Sequence, residues 1–319
     1  MATDYTLPDR SGQISVARRK LQPPETQSRP RRRAYAKVMG APMALQRTVG
    51  EPAGFSGPGF LYGREARLRL LPAAPNSGIV FVRTDLPGQP CIPAHPANQR
   101  PGSHCTVLGT GEAAVSVVEH LLAACAVLGV SNLRVEIDAP ELPTADGSAK
   151  PYADILMAAG IVEQDEPAWE YQLARPLLVR EDEPDSALLA FPSATPRISY
   201  LLHYPQSPEI GCAFLTVSLD DDDLVEQLLP ARTFITEAEA RSAIASGWLK
   251  STDESLGLVV RSGREPELRM PEEFARHKIL DLVGDLHILG KKVRAHYVGV
   301  KSGHKLNARL VRELAARYP

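Results

Sequence analysis

Two polar residues one helical turn apart are the first candidates for chemistry. His277 and Asp281 are four residues apart in an apolar run, and Asp285 follows after four more. Residues at i and i+4 project from one face of a helix, so an imidazole and a carboxylate there can bind one metal ion. The same spacing is also typical of a surface salt bridge. The apolar neighbours favour burial, and a buried charge needs a partner or a metal.

Glu119 and His120 form a second polar pair inside an otherwise apolar stretch. Ser116 and Glu119 fit the capping box that begins many helices, and His120 can be interpreted as a hydrogen-bonded core histidine. A zinc ion held by His277 and Asp281 would need a third ligand, because catalytic zinc takes three protein ligands and keeps one position for water. In such a site Glu119, beside His120, would be the base that acts on the water.

His304 follows Gly303, between a predicted strand and a predicted helix. A histidine at a helix start commonly caps the helix or packs, and this alternative stays open. If it faces a metal-bound water, a charged His304 would stabilise an oxyanion or protonate a leaving amine. The other histidines have no comparable polar neighbours. His287 is two residues from Asp285, which directs it away from the face of Asp285 and predicts that it packs.

These side chains need helices and strands that hold them in place. Apolar alternation and short apolar runs predict strands at residues 66–71, 78–83, 133–138, 187–191, 197–203, 212–218 and 294–300. Apolar residues at helical spacing predict helices at residues 116–128, 152–159, 236–245, 271–289 and 305–317.

Each half of the chain mixes short strands with a few helices, which predicts an α+β fold with two similar-sized domains. A polar, Pro-containing run at residues 164–169 predicts the linker between them. The expected division is a basic tail at residues 1–43, a first domain at 44–166 and a second domain at 167–319.

Composition excludes several classes of protein. The 319 residues are 44% hydrophobic and 23% charged, which is typical of a globular protein and excludes wholesale disorder or a fibrous repeat. The apolar stretch at residues 113–130 is long enough to span a membrane, but Glu119 and His120 in its middle exclude a span. Four cysteines without C-x-x-C spacing indicate reduced core thiols in a cytoplasmic protein.

Charge is distributed unevenly along the chain. There are 36 Lys and Arg against 38 Asp and Glu, yet residues 1–37 carry nine basic and three acidic side chains. A basic, apolar-poor segment of this kind predicts a disordered arm. Its short arginine cluster has no aromatic interleaving, so a solubilising or processing extension is favoured over contact with nucleic acid.

Longer motifs surround the candidate residues in both halves of the chain. They are VEHLL at 118–122 with LGVSNL at 128–133, APELPTADGSA at 139–149, and RHKILDLVGDL at 276–286 with KSGHKLN at 301–307. In order and separation, these motifs resemble the zinc-dependent UDP-3-O-acyl-N-acetylglucosamine deacetylases of lipid A biosynthesis. The resemblance covers residues 44 to 319, and it implies two α+β domains, each pairing a sheet with helices, with the active site between them.

The resemblance implies that His120, His277 and Asp281 bind Zn²⁺, with Glu119 as general base and His304 as the charged partner. Zinc lowers the pKa of its bound water to about 7, so Glu119 would remove a weakly held proton. The water would then attack the acetamide carbonyl of the substrate.

Four further roles follow from the same resemblance. Asp285 would orient His304 or the site, and Thr233 would contact the oxyanion. Lys278 would meet the nucleotide diphosphate, and Phe234 would contact the substrate. Removing one oxyanion donor from such a site typically lowers the rate by about 10²- to 10³-fold.

Two segments depart from the family pattern. Residues 57–63 read GPGFLYG, with Leu61 at the position where the family usually carries a histidine. Residues 247–260 lack the family's paired glycines and following Asp-Asn, and residues 250–256 within this stretch read KSTDESL. The second region helps to form the acyl-chain passage in the family. The departures therefore bear on the identity and length of the acyl group that the protein accepts.

The sequence is therefore interpreted as a cytoplasmic zinc amidohydrolase that removes acetate from UDP-3-O-acyl-N-acetylglucosamine. Its expected partners are this UDP-linked substrate and a membrane surface met transiently, with no nucleic acid, and the expected state is a monomer. Two alternatives are a divergent zinc deacetylase for another acylated amino sugar and a catalytically inactive binding paralogue. Retention of all five candidate groups argues against the inactive paralogue.

Overall fold

The computed structural model describes residues 44–102, 104–182, 185–247, 249–250 and 254–318. The described residues belong to one compact unit, Val38–Pro319. The predicted disordered tail at residues 1–43 lies outside the described residues, as do Ser251, Thr252 and Asp253 of the divergent segment.

The helices of the described residues carry most of the candidate site. In chain order they are α1 (Glu119–Leu128), α2 (Lys150–Ala158), α3 (Leu224–Gln227), α4 (Glu237–Ala245), α5 (Glu273–His287) and α6 (His304–Arg317). Single 3-10 turns occur at Gly111–Ala113 and Glu254–Leu256. The predicted helices are confirmed, with ends that differ by up to three residues.

Apart from β1, which pairs with β10, the strands before and after α2 form separate sheets. The earlier strands are β1 (Leu45–Val49), β2 (Ala53–Pro58), β3 (Glu65–Leu71), β4 (Ile79–Arg83), β5 (Cys91–Pro93), β6 (Gln99–Pro101), β7 (Thr106–Leu108), β8 (Val115–Ser116) and β9 (Leu133–Ile137). The later strands are β10 (Ile161–Pro167), β11 (Glu170–Gln172), β12 (Leu177–Glu181), β13 (Ser186–Pro192), β14 (Arg197–Tyr204), β15 (Gly211–Ser218), β16 (Phe234–Thr236), β17 (Leu258–Val260) and β18 (Lys292–Val300).

Two larger sheets organise the fold. One has the strand order β2-β3-β9-β4-β5, and the other has the order β12-β13-β18-β14-β15 with β11 beside β18. Smaller sheets pair β1 with β10, β16 with β17, and β6, β7 and β8 with one another. The helices and separate sheets confirm the α+β class. Most of the buried apolar side chains form one large cluster that draws on both larger sheets. The domain boundary at residues 166 and 167 stays a prediction.

The predicted linker at residues 164–169 is largely strand. β10 covers Ile161–Pro167 and pairs antiparallel with β1, with Val49 opposite Ile161. The composition of the run is polar because most of its side chains lie on or near the surface, while its backbone groups still pair with β1. The polar composition therefore did not indicate this strand, and the role of the run as a linker between two domains stays a prediction.

The prediction of four core thiols is wrong for two cysteines. Cys105 and Cys125 are buried, whereas Cys91 and Cys212 are exposed, and all four are free thiols. Cys91 and Cys212 lie on the edge strands β5 and β15, where alternate side chains point away from the core.

Among the described residues, no helix is both long and apolar enough to cross a membrane. The apolar stretch at residues 113–130 is divided between β8 and α1, and α1 has ten residues. Its apolar side chains are buried in the protein core instead.

Candidate metal centre

α5 places three polar side chains on one buried face. His277, Asp281 and Asp285 follow at intervals of one turn and are buried. The predicted helix spacing is confirmed, and the burial inferred from the apolar neighbours is also confirmed. These groups are therefore not a solvent-exposed salt bridge.

α1 packs directly against α5 and brings Glu119 and His120 to the same place. Gly284 makes this approach possible, because a Cβ at that position would overlap the backbone carbonyl oxygen of Glu119. The backbone turns sharply just before α1, where Val117 has a φ of 60° and donates its N–H to the Thr106 carbonyl oxygen at 3.1 Å. A β-branched residue rarely adopts this conformation, so the turn that starts α1 is strained.

The capping-box interpretation of Ser116 and Glu119 is wrong. Ser116 belongs to β8, and the residue at the N-cap of α1 is Val118, which makes no side-chain capping bond. The strand and the left-handed turn at Val117 occupy the positions that the capping box would need. The Glu119 carboxylate instead accepts the Thr106 N–H.

Three potential ligand atoms converge between α1 and α5. One atom each from His120, His277 and Asp281 lies within 4.8 Å of the other two. The Nε2 atoms of His277 and His120 lie 3.4 and 3.8 Å from Asp281 Oδ1. The two imidazole rings meet edge to face, with centroids 5.1 Å apart.

This donor set fits a zinc ion. Ligand atoms about 2.1 Å from a tetrahedral metal lie roughly 3.4 Å from one another, close to the observed separations. Asp281 Oδ1 is buried and has no hydrogen-bond partner among the described residues, although both Nε2 atoms face it. A buried carboxylate oxygen without a partner is costly, and a cation removes that cost.

The protonation states of the ligands also suit a metal. Burial lowers the pKa of His120 to about 4 and that of His277 to about 3, so both imidazoles are neutral at pH 7. His277 Nδ1 donates to the Ala231 carbonyl oxygen at 3.1 Å, which leaves Nε2 with its lone pair toward Asp281. Metal-binding histidines are commonly oriented by such a bond from the other ring nitrogen.

Lys278 lies on the outer side of Asp281. Its Nζ donates to Asp281 Oδ2 at 2.7 Å and sits 5.6 Å from the centroid of the Phe234 ring, within the range of a cation–π contact. Burial would raise the pKa of Asp281, but His277 and Lys278 hold it well below its usual range. Lys278 thus engages one carboxylate oxygen and leaves the other facing the histidines.

Thr233 lies in a segment whose residues before and after it contact His277. Ala231 accepts the His277 hydrogen bond, and the Phe234 ring centroid is 6.2 Å from that of His277. The Thr233 N–H donates to the Gly147 carbonyl oxygen at 2.8 Å, which ties the segment to the APELPTADGSA motif. Its hydroxyl role stays a prediction.

Glu119 is buried beside the three ligand atoms. Burial raises the pKa of its carboxyl group to about 8, while the His304 charge acts in the opposite direction. Glu119 Oε2 accepts the Thr106 N–H at 3.1 Å, and Oε1 lies 3.7 Å from His304 Nε2. A carboxylate with a raised pKa is a stronger base than an exposed one.

His304 is held at the start of α6 by Asp285. Its Nδ1 donates to Asp285 Oδ2 at 3.0 Å, and its Nε2 lies 3.8 Å from Asp281 Oδ2. Burial alone would lower the pKa of His304, but Glu119 and Asp285 together raise it to about 9. His304 is therefore cationic at pH 7 and faces the ligand cluster, so the capping and packing alternative does not describe it.

Several residues that hold this centre carry no signal in the sequence. Thr106, Gln99 and Asn307 all donate to Asp285, and Ala231 orients His277. None of them has a spacing relation to the residues it contacts, so no local pattern could have indicated them. His287, predicted only to pack, lies at the end of α5 and its Nε2 is 3.0 Å from the Val130 carbonyl oxygen.

The divergent loop at residues 57–63 is anchored by Glu141. Both Glu141 oxygens accept the Leu61 N–H, at 2.8 and 3.0 Å, and Oε2 also accepts the Tyr62 N–H. Phe60 packs against a small apolar cluster formed by Ala240, Ala243 and Leu249. The loop at Leu61 is therefore ordered by its backbone and contacts the α4 region.

A sequence profile described as "LpxC: UDP-3-O-acyl N-acetylglycosamine deacetylase" matches residues 46–316. A protein of Nostoc sp. named UDP-3-O-acyl-N-acetylglucosamine deacetylase is 37% identical over 278 residues, or 85% of this chain and 98% of that protein. Proteins of the same name from Chlamydia abortus and Myxococcus xanthus are 35% and 36% identical, over 84% of this chain and 96% and 86% of their own lengths.

The matched region includes both helices of the metal centre and the His304 segment. The resemblance inferred from the motifs is therefore confirmed. This chain belongs to the UDP-3-O-acyl-N-acetylglucosamine deacetylase family.

Proposed function

We propose that this protein removes the N-acetyl group of UDP-3-O-acyl-N-acetylglucosamine and releases acetate in lipid A biosynthesis. The observation that carries the proposal is the convergence of His120, His277 and Asp281 within 4.8 Å, beside the buried Glu119 and the cationic His304. The family profile and the names of the relatives support the same activity.

His120, His277 and Asp281 are the residues that would hold zinc. When bound, the ion polarises an amide carbonyl and lowers the pKa of a bound water to about 7. The neutral imidazoles and the ionised Asp281 are already in the states that bind a metal, so binding need not release protons from them.

Glu119 and His304 divide the proton transfers between them. Glu119 accepts the proton of the attacking water, and its carboxylate is held in place by the Thr106 N–H and lies 3.7 Å from His304 Nε2. His304 carries a positive charge at neutral pH and stabilises negative charge on the carbonyl oxygen or donates a proton to the leaving amine. Thr233 contacts the same oxygen, and Asp285 keeps the His304 ring in its orientation.

The substrate would extend from this centre past Lys278 and Phe234. Lys278 lies over the Phe234 ring and still has donor capacity beyond its single bond to Asp281. An ammonium group is a suitable partner for the nucleotide diphosphate, and an aromatic ring suits the sugar or acyl portion.

Replacing Asp281 with alanine is expected to remove the metal as well as the activity. The substitution deletes one of three ligands. Zinc affinity should therefore fall by more than about 100-fold, the upper limit for mutating a residue that only hydrogen-bonds to a ligand. Zinc content after gel filtration, measured by mass spectrometry, tests this. Asp154→Ala removes an exposed aspartate of α2 and should keep full zinc content. Stoichiometric zinc in Asp281→Ala would contradict the ligand assignment.

The substrate is tested by comparing UDP-3-O-acyl-N-acetylglucosamine with UDP-N-acetylglucosamine. We expect acetate release from the acylated compound at a much higher kcat/KM, because the acyl chain adds apolar contacts to the same nucleotide and sugar. Turnover of only a different acylated amino sugar would support the divergent deacetylase. Zinc-loaded protein without turnover on any of these compounds would support the inactive paralogue.

A further inference from the structure

Thr106 contacts both halves of the proton-transfer pair. Its backbone N–H donates to Glu119 Oε2 at 3.1 Å, and its hydroxyl donates to Asp285 Oδ1 in a short hydrogen bond. The same hydroxyl oxygen lies 3.2 Å from His304 Nδ1. Thr106 is buried, with 1% of its surface exposed.

The strand that carries Thr106 is itself fixed beside α1. Thr106 begins β7, where Val107 is paired with Ser116 of β8. Its carbonyl oxygen accepts the N–H of the left-handed Val117, two residues before Glu119. Thr106 therefore contributes both to the turn that orients Glu119 and to the hydrogen bonding of Asp285.

Asp285 has four donors, and they are not equivalent. Asn307 and His304 donate to Oδ2 at 2.9 and 3.0 Å, so that oxygen keeps a partner if either is lost. Oδ1 receives the Thr106 hydroxyl and a long 3.4 Å contact from Gln99. The orientation of the Asp285 carboxylate, and with it the His304 ring, thus depends chiefly on the Thr106 hydroxyl.

We propose that Thr106 is a positioning residue whose hydroxyl fixes the His304–Asp285 pair relative to Glu119. This inference rests on the proposed function for its kinetic consequence, but the geometry it predicts can be measured without turnover. A hydrogen bond to a buried carboxylate that orients an acid–base pair acts on kcat and leaves substrate binding unchanged.

The experiment compares Thr106→Val, which keeps the backbone N–H and removes the hydroxyl, with Thr106→Ser, which keeps both. Thr106→Val should lower kcat by about 10- to 100-fold, the rate equivalent of one charge-assisted hydrogen bond, with KM unchanged. Thr106→Ser should recover most of that loss. Thr48→Val removes another buried hydroxyl, one that accepts the Ala73 N–H, and should leave kcat unchanged.

Side-chain nitrogen NMR provides the readout that does not need activity. The His304 imidazole resonances, assigned by their loss in His304→Gln, should shift in Thr106→Val and return in Thr106→Ser, while those of His287 stay constant. Unchanged His304 resonances and kcat in Thr106→Val would overturn the inference. Equal damage in the valine and serine variants, together with a lowered Tm, would also overturn it in favour of a packing role. Absence of acetate release by the wild type would reject the proposed function, and the NMR comparison would still decide the role of Thr106.

Discussion

Glu119→Gln is expected to keep its zinc and to lose about 10²- to 10⁴-fold in kcat, the usual contribution of a general base. Glutamine has nearly the same shape and can still accept the Thr106 N–H, but its amide cannot take a proton from water. Glu119 is not among the three converging ligand atoms, so the metal should remain. Metal analysis and turnover on the acylated UDP-sugar, measured on one preparation, test both parts.

Measuring zinc content and turnover together distinguishes a general base from a metal ligand. Loss of zinc together with activity would show that Glu119 holds the metal, and full activity would show that another group takes the proton. An unfolding midpoint close to that of the wild type serves as the control for intact packing between α1 and α5.

Gly284→Ala is expected to damage the metal centre without touching a ligand. In an open helix this change would stabilise by about 1 kcal/mol, because alanine is the better helix former. Here the added methyl group overlaps the Glu119 carbonyl oxygen, and overpacking of this kind typically costs about 1–3 kcal/mol. The structure must move α1 away from α5, which separates His120 from His277 and Asp281.

We therefore expect a lower Tm and a zinc affinity that is weaker by about 10- to 100-fold, as when a residue that orients a metal ligand is mutated. Competition with a chelator of known affinity measures the second quantity. Gly303→Ala is the matched control, since it adds the same methyl group beside His304 where no atom outside the adjacent residues lies within 4 Å. Unchanged zinc affinity in Gly284→Ala would mean that the close approach of the helices does not position the ligands.

The local part of the site could be predicted because helical spacing alone determines it. His277 and Asp281 share a helix face through their interval of four, and the apolar neighbours correctly indicated burial. The participation of His120 came from the number of ligands that zinc requires and from the family resemblance. Its place across the helix interface depends on contacts between residues far apart in the chain.

The failures have the same physical origin. Ser116 carries a helix-capping pattern, but pairing with β7 makes it a strand residue. The run at residues 164–169 is polar, yet most of it forms part of β10, whose backbone pairs with β1. Thr106 and Gly284 show no local signal, because their importance comes from the atoms that the fold brings against them.

Diffraction from crystals of the purified protein, recorded above and below the zinc absorption edge, locates the metal and its ligands. We expect one strong anomalous peak about 2.0–2.2 Å from the Nε2 atoms of His120 and His277 and from Asp281 Oδ1. A zinc peak elsewhere, or one bound by only one of the two helices, would contradict this assignment.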